Sequence, residues 1–189
     1  MSLTSASSTA TIPGLTAGTW VIDKSHSTVG FTVRHLMVSK VRGIFSEFEG
    51  SLDIGENVLD SSVTATVDMS SVDTRDATRD AHLRSVDFFE TDKFPTMSFR
   101  SFAIRQKGDD FVVEGDLTLH GVTRQVSLAL EFNGVTTDPW GGTRAGFSAH
   151  TEINRREYGI DISMPIEGGG VVVGDKVKVE LEVEAVLQA

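Results

Sequence analysis

The chain has 189 residues, no cysteine, and 27 acidic against 17 basic side chains, a formal charge of −10. That length suits one domain with a buried core, and an acidic field of this size repels nucleic acid and anionic membrane surfaces. Without cysteine there is no disulfide, thiolate nucleophile, iron–sulfur cluster or cysteine-type zinc site.

The opening stretch, MSLTSASSTATIPGLTAG, has no charge and is rich in Ser and Thr. It shows neither a basic segment followed by an apolar one nor a run of about 18 apolar residues. Residues 1–17 are therefore expected to be a flexible lead-in, residues 18–189 the folded domain, and the location cytoplasmic.

From Gly18 onward the dominant pattern has period two, the signature of strands with one apolar face. After TWVID, the run TVGFTVRHLM alternates Val29, Phe31, Val33 and His35. GIFSEFEGSLDI follows, and SSVTATVDM places Val63, Ala65, Val67 and Met69 on one side. Ser71–Val86 loses the alternation and predicts one short helix over about 76–84, with Asp73 or Thr74 able to cap it. TMSFRSFAI changes phase between Phe99 and Phe102, which predicts a bulge. The alternation then resumes in FVVEGDLTLH, QVSLALEF, RAGFSAHTEI and DKVKVELEVEA, with turn chemistry in KGDD, FNGV, DPWGG and GGG. The expected fold is all-β: about eight or nine antiparallel strands that either close into a barrel or stack as two sheets.

Small residues on the apolar faces, Ala65, Gly115, Ala145 and Ala149, either leave an interior cavity or reflect ordinary large-and-small packing. The five histidines, His26, His35, His82, His120 and His150, show no HxH or HExxH spacing and read as hydrogen-bonded structural groups. Asp23, Ser25 and His26 in DKSHST read as a turn that satisfies backbone groups, since no GxSxG elbow is present. Arg75, Arg79 and Arg84 alternate with aspartates on the helix, as ion pairs or as a clamp for an anionic head group at a pocket mouth. No glycine-rich phosphate loop and no basic, aromatic-interleaved patch occurs.

Taken in order, TWVIDKSHSTVGFTVRH, GIFSEFEGSL, DAHLRSVDFFETDKFPTMSF, GDLTLHGVTRQV, INRREYGI and VGDKVKVELEVEA resemble the YceI-like family from about Gly18 to Ala185. The resemblance implies an extended, lipocalin-like antiparallel β-barrel. It also implies a polyisoprenoid or similar amphiphilic lipid in an elongated apolar pocket, for transport, storage or isoprenoid and quinone metabolism. Carried onto this chain, it makes Trp20, Phe31, Val33, Phe45, Phe48, Val67, Phe99, Phe111, Leu117 and Phe147 pocket candidates. His35, His82 and Arg155 become candidates for polar contacts along the pocket or at its mouth. No cofactor, metal or catalytic residue is expected, and a homodimer is. Asp80–Phe99 then reads as a helix-and-loop cap over the pocket. The rival classes are an enzyme on an isoprenoid or quinone-like substrate, using His35, His82 or His120, and a plain assembly protein.

Overall fold

The structure, a computed structural model, describes residues 8–163 and 172–189. Its runs of β-branched and aromatic residues form strands because they pack well on a pleated surface that is buried on one side. The elements are β1 (Gly18–Ile22), β2 (Thr28–His35), β3 (Ser39–Phe45), β4 (Phe48–Ile54), β5 (Ser62–Asp68) and β6 (Val72–Asp73), then α1 (Ala77–Arg84). They continue as β7 (Thr96–Lys107), β8 (Asp110–Leu119), β9 (Val122–Thr137), β10 (Thr143–Asn154) and β11 (Val173–Leu187). The GGG turn at 168–170 lies outside the described residues.

Eight strands close into an antiparallel barrel in the order β1–β4–β5–β7–β8–β9–β10–β11, with β11 returning to β1. One edge of β11 pairs with β10 along its length, from Lys176 to Val186. The other edge is shared: its first part, from Val173 to Glu182, faces β2, and Ala185–Leu187 face β1. The hairpin β2–β3 and the short β6 therefore branch off the barrel as a flap. That branch accounts for strands beyond the eight or nine expected from periodicity: the run GIFSEFEGSLDI spans the end of β3 as well as β4, and β6 is only two residues long.

Small residues on the inward faces have distinct uses. Ala145 and Ala185 are almost wholly buried in one cluster with Trp20, whose indole Nε1–H donates to the Thr16 carbonyl at 3.0 Å. Gly115 seats the Phe99 ring, since a Cβ there would lie 2.5 Å from it. These three positions accommodate protein side chains, whereas Ala65 and Ala149 face the barrel interior. The expected bulge is present: the β7–β8 register shifts between Ser101 and Ala103, which turns Phe102 outward to 54% exposure and returns Ile104 to the inside.

The helix is capped by Asp76, which accepts from the Arg79 backbone N–H at 3.0 Å. Thr74 instead donates its N–H and hydroxyl to the buried Asp80 carboxylate, at 2.9 and 2.6 Å. At the other end, Phe89, Glu90 and Thr91 donate backbone N–H groups to the carbonyls of Leu83, Ser85 and Arg84. The chain after α1 thus satisfies acceptors that a helix end leaves open. This fold-back lets Phe88 and Phe89 pack with Phe45, Leu117, Leu119 and Tyr158, and β7 begins directly after Pro95.

Arg144 on β10 staples the opposite end. Its guanidinium lies 2.7 Å from Asp23, 2.8 Å from Asp138 and 2.7 Å from Glu184. Hydrogen bonding to Arg144 holds the Asp23 and Asp138 carboxyls below their ordinary value of 3.8. A carboxyl whose folded-state pKa is depressed stabilises the fold above its unfolded value and loses that contribution as the pH falls. The urea midpoint of the natural chain should therefore fall as the pH drops below about 4. Arg144→Gln should lower the midpoint at neutral pH and flatten its acid dependence; parallel titrations of the two proteins check this.

Candidate functional site

The barrel encloses an elongated apolar cavity. Its wall comes from alternate positions of successive strands, including Phe48 and Leu52 of β4, Val63, Ala65 and Val67 of β5, and Met97, Phe99 and Ile104 of β7. Phe111, Val113 and Leu117 of β8 continue it, followed by Val126, Leu128 and Leu130 of β9, Phe147, Ala149 and Ile153 of β10, and Val179, Leu181 and Val183 of β11. Among the described residues, the polar ones in the lining are Ser61, Ser62, Ser98 and Thr151, and none is ionisable. At about 3.4 Å per residue, Phe111 to Leu117 is a wall roughly 20 Å long. With strands tilted by about 40°, that is roughly 15 Å along the barrel axis.

The two ends are closed differently. Leu117, Phe99, Val126 and Ile153 belong to the cavity wall and also to the cluster that receives Phe88 and Phe89 from the cap. At the other end, residues 8–17 cross as a strap. Ile12 and Leu15 face the cavity, and the Ala10 carbonyl accepts from the Val58 N–H at 2.8 Å. Beyond the strap lies a shallow hollow that shares Ile12, Leu15, Ile54 and Val58 with the cavity, so these side chains form its partition. Periodicity gave no signal for Ile12 and Leu15, which are isolated apolar residues in a polar run.

Of the candidates read from the sequence, Phe48, Val67, Phe99, Phe111, Leu117 and Phe147 line the cavity. Trp20, Phe31, Val33 and Phe45 do not. Trp20 fills the closure of the barrel. Phe31 and Phe45 stack on each other with centroids 5.5 Å apart, against the cap. Val33 pairs with Val177 and Val41 within the flap. On the apolar face of β2 Val29 reaches the cavity while Phe31 packs against the cap, and alternation alone does not distinguish the two.

The polar candidates also lie off the cavity. His35 ends β2 opposite Val173. His82 is exposed, holds Asp87 at 2.8 Å and meets the Phe88 ring edge-on. Arg155 is only 4% exposed and donates to the carbonyls of Ile160 at 2.6 Å and Gly174 at 3.0 Å, which ties its turn to the start of β11. Burial pushes the Arg155 pKa below its ordinary value. His120, at the β8–β9 turn, donates from Nδ1 to the Tyr158 carbonyl at 2.9 Å and packs on Phe94. The helical arginines make no ion pair with their neighbouring aspartates among the described residues; Arg79 donates to Thr74, and Arg84 to the Ser70 carbonyl.

Asp23, His26 and Glu184 bring potential metal-ligand atoms within 4.8 Å of one another, but Arg144 Nη1 already sits 2.7 Å from both carboxylates. The guanidinium occupies the place a cation would take. Ser25 Oγ and the Asp23 carboxylate both contact His26 Nδ1, whereas a catalytic triad places acid and hydroxyl on different ring nitrogens.

A family model described as a YceI-like domain matches residues 20–185. The chain belongs to the YceI-like family. It is 42% identical over 147 residues to protein YceI of Escherichia coli, covering 76% of this chain and 77% of that one. It is 40% identical over 163 residues to a UPF0312 protein of Photorhabdus laumondii, covering 78% and 85% of the two chains. Among solved structures, the YceI protein of Campylobacter jejuni aligns at a TM-score of 0.71 and 29% identity, covering 88% of this chain and 96% of that one. A polyisoprenoid-binding domain from Saccharophagus degradans, implicated in plant cell wall breakdown, aligns at a TM-score of 0.69 and 16% identity, covering 89% and 98%, and shares the fold.

In this YceI-like barrel, cavity space and packing are separable by mutation. Ala149→Phe projects a ring into the cavity and should reduce the open space inside the barrel, with little change in melting temperature. Gly115→Ala meets the Phe99 ring and the Arg100 carbonyl, and should destabilise the fold by about 1–3 kcal/mol. Thermal melts and crystal structures of both variants check the contrast.

Proposed function

We propose that the protein is a non-enzymatic lipid carrier that holds the chain of a polyisoprenoid, or a similar amphiphile, inside its barrel, for transport or storage. The observation that carries this reading is a long cavity wall with no ionisable side chain among the described residues that line it. Such a wall can bind hydrocarbon and has no group placed to move a proton. The polyisoprenoid-binding neighbour of the same fold supports the ligand class.

The energetics favour a branched, partly unsaturated chain. Burial contributes about 0.8 kcal/mol per CH₂, so a five-carbon isoprene unit gains roughly 4 kcal/mol before the loss of its freedom is counted. That loss is about 0.5–1.5 kcal/mol per immobilised flexible group. A rigid double bond in every unit leaves fewer rotors per buried carbon than a saturated acyl chain has. Each added unit therefore gains net affinity until the cavity is filled. The head group remains outside, where water solvates it, because the wall offers it no partner. As a homodimer, the protein would present two such barrels; sedimentation equilibrium measures that state.

Protein purified from cells should yield polyprenyl lipid in an organic extract, detected by mass spectrometry, and Ala149→Phe should yield less of it per mole. A protein that is ligand-free from cells, and stays so when polyprenyl phosphate is added, contradicts the reading.

A further inference from the structure

The flap ends in a hairpin whose tip is built against local preference. Between β2 and β3, the Val38 N–H donates to the His35 carbonyl at 3.2 Å, which places Leu36 and Met37 at the central positions of the turn. Both adopt left-handed backbone angles, with φ of 51° and 62°. Such positions favour Asn and Gly, and a bulky residue there is strained. The tip is also exposed: Leu36 39%, Met37 51% and Val38 85%.

The charge beside the tip is equally unusual. From Ser25 to Ser46 the sequence has Arg34, Lys40 and Arg42 and no acidic residue, in a chain with a formal charge of −10. Arg34 pairs directly with Lys40 across the two strands, and Thr32 with Arg42. Like charges placed opposite each other on a ladder are destabilising. All three cations are exposed, and none forms an ion pair among the described residues. An apolar apex over a cationic shoulder thus stands at the capped end of the barrel, where His35 meets the start of β11.

We propose that this hairpin docks the protein on an anionic lipid surface, with Leu36, Met37 and Val38 entering the headgroup boundary and Arg34, Lys40 and Arg42 lying at headgroup level. The pattern is that of interfacial anchors, in which apolar side chains insert and basic ones meet anionic lipid. Charge complementarity selects this occupant over a second copy of the chain. A two-fold contact through the tip would set three cations against the same three. The net negative charge does not prevent docking at a projecting tip, because fields from the rest of the molecule are screened over about 8 Å at physiological ionic strength. The inference deepens the carrier reading, since a carrier must exchange its ligand with a membrane, but docking is measured independently of cavity loading.

The test uses co-sedimentation of the full chain with phosphatidylcholine vesicles, with and without phosphatidylglycerol, at low and high salt. Binding should require phosphatidylglycerol and weaken with salt. Lys40→Gln and Arg42→Gln should each reduce it about fivefold, and Met37→Ser with Val38→Ser about tenfold or more. Leu36→Asn with Met37→Gly is the decisive variant: it relieves the turn, so its melting temperature should rise while vesicle binding falls. In detergent solution all these variants should take up polyprenyl phosphate as the natural chain does. The proposal is overturned if the natural chain ignores phosphatidylglycerol, or if the tip variants bind vesicles unchanged. It is also overturned if the tip variants dissociate a dimer in light scattering and leave vesicle binding intact. Vesicle binding without any polyprenyl uptake supports the docking tip and contradicts the cavity reading alone.

Discussion

The structure depends on the meeting of β1 with β11. Three residue pairs, Trp20–Leu187, Val21–Val186 and Ile22–Ala185, turn an open sheet into a barrel. Opened at this seam, the sheet would expose the edge of β1, the end of β11 and one apolar face. Closure removes the edges and turns the apolar face inward, around a space that side chains do not fill. The joint is secured by packing and by charge: Trp20 sits between small residues of β10 and β11, and Arg144 bridges three carboxylates beside it. Because β1 is short, β11 has edge left over, and that edge supports the flap.

Cavity and flap thus follow from one division of labour along β11. Where β11 pairs with β1, the barrel is sealed and Trp20 fills the joint. Where it pairs with β2, the sheet branches, and cap residues from α1 and its following loop cover the branch. Phe88 and Phe89 of the Asp80–Phe99 segment serve this covering, with Phe88 buried among Phe45, Leu117 and Tyr158, whereas Phe99 belongs to the cavity wall. Its His82 and Asp87 bond to each other at the surface. The mixture of aromatic and polar residues in that segment reflects a helix turning into a packed loop, and its charged groups are absent from the cavity lining, which the segment reaches only through Met97, Ser98 and Phe99.

Much of the barrel was legible in the sequence because a strand's period of two survives in any sheet with one buried face. The alternation in FVVEGDLTLH and RAGFSAHTEI marks the cavity wall directly, and the phase change at Phe99–Phe102 locates the bulge. The branch was not legible. Phe31 and Val33 alternate as regularly as Phe111 and Val113, but Phe31 packs under the cap and neither lines the cavity, which depends on which edge of β11 the strand pairs with. The roles of Ala145 and Gly115 were hidden for a similar reason: a small residue opens space, and only the fold shows whether Trp20, Phe99 or a ligand occupies it. Ile12 and Leu15 face the cavity through tertiary hydrogen bonds of the strap, which leave no periodic trace.

The central claim is that a lipid chain lies inside the barrel, along the wall from Phe111 to Leu117. A crystal structure of the protein with a bound polyprenyl phosphate tests it most directly. The account predicts continuous chain density between Phe111, Leu128, Ala149 and Leu117, with the phosphate outside the barrel. A barrel that is empty under saturating lipid, or a lipid held only on the outer surface, would contradict it.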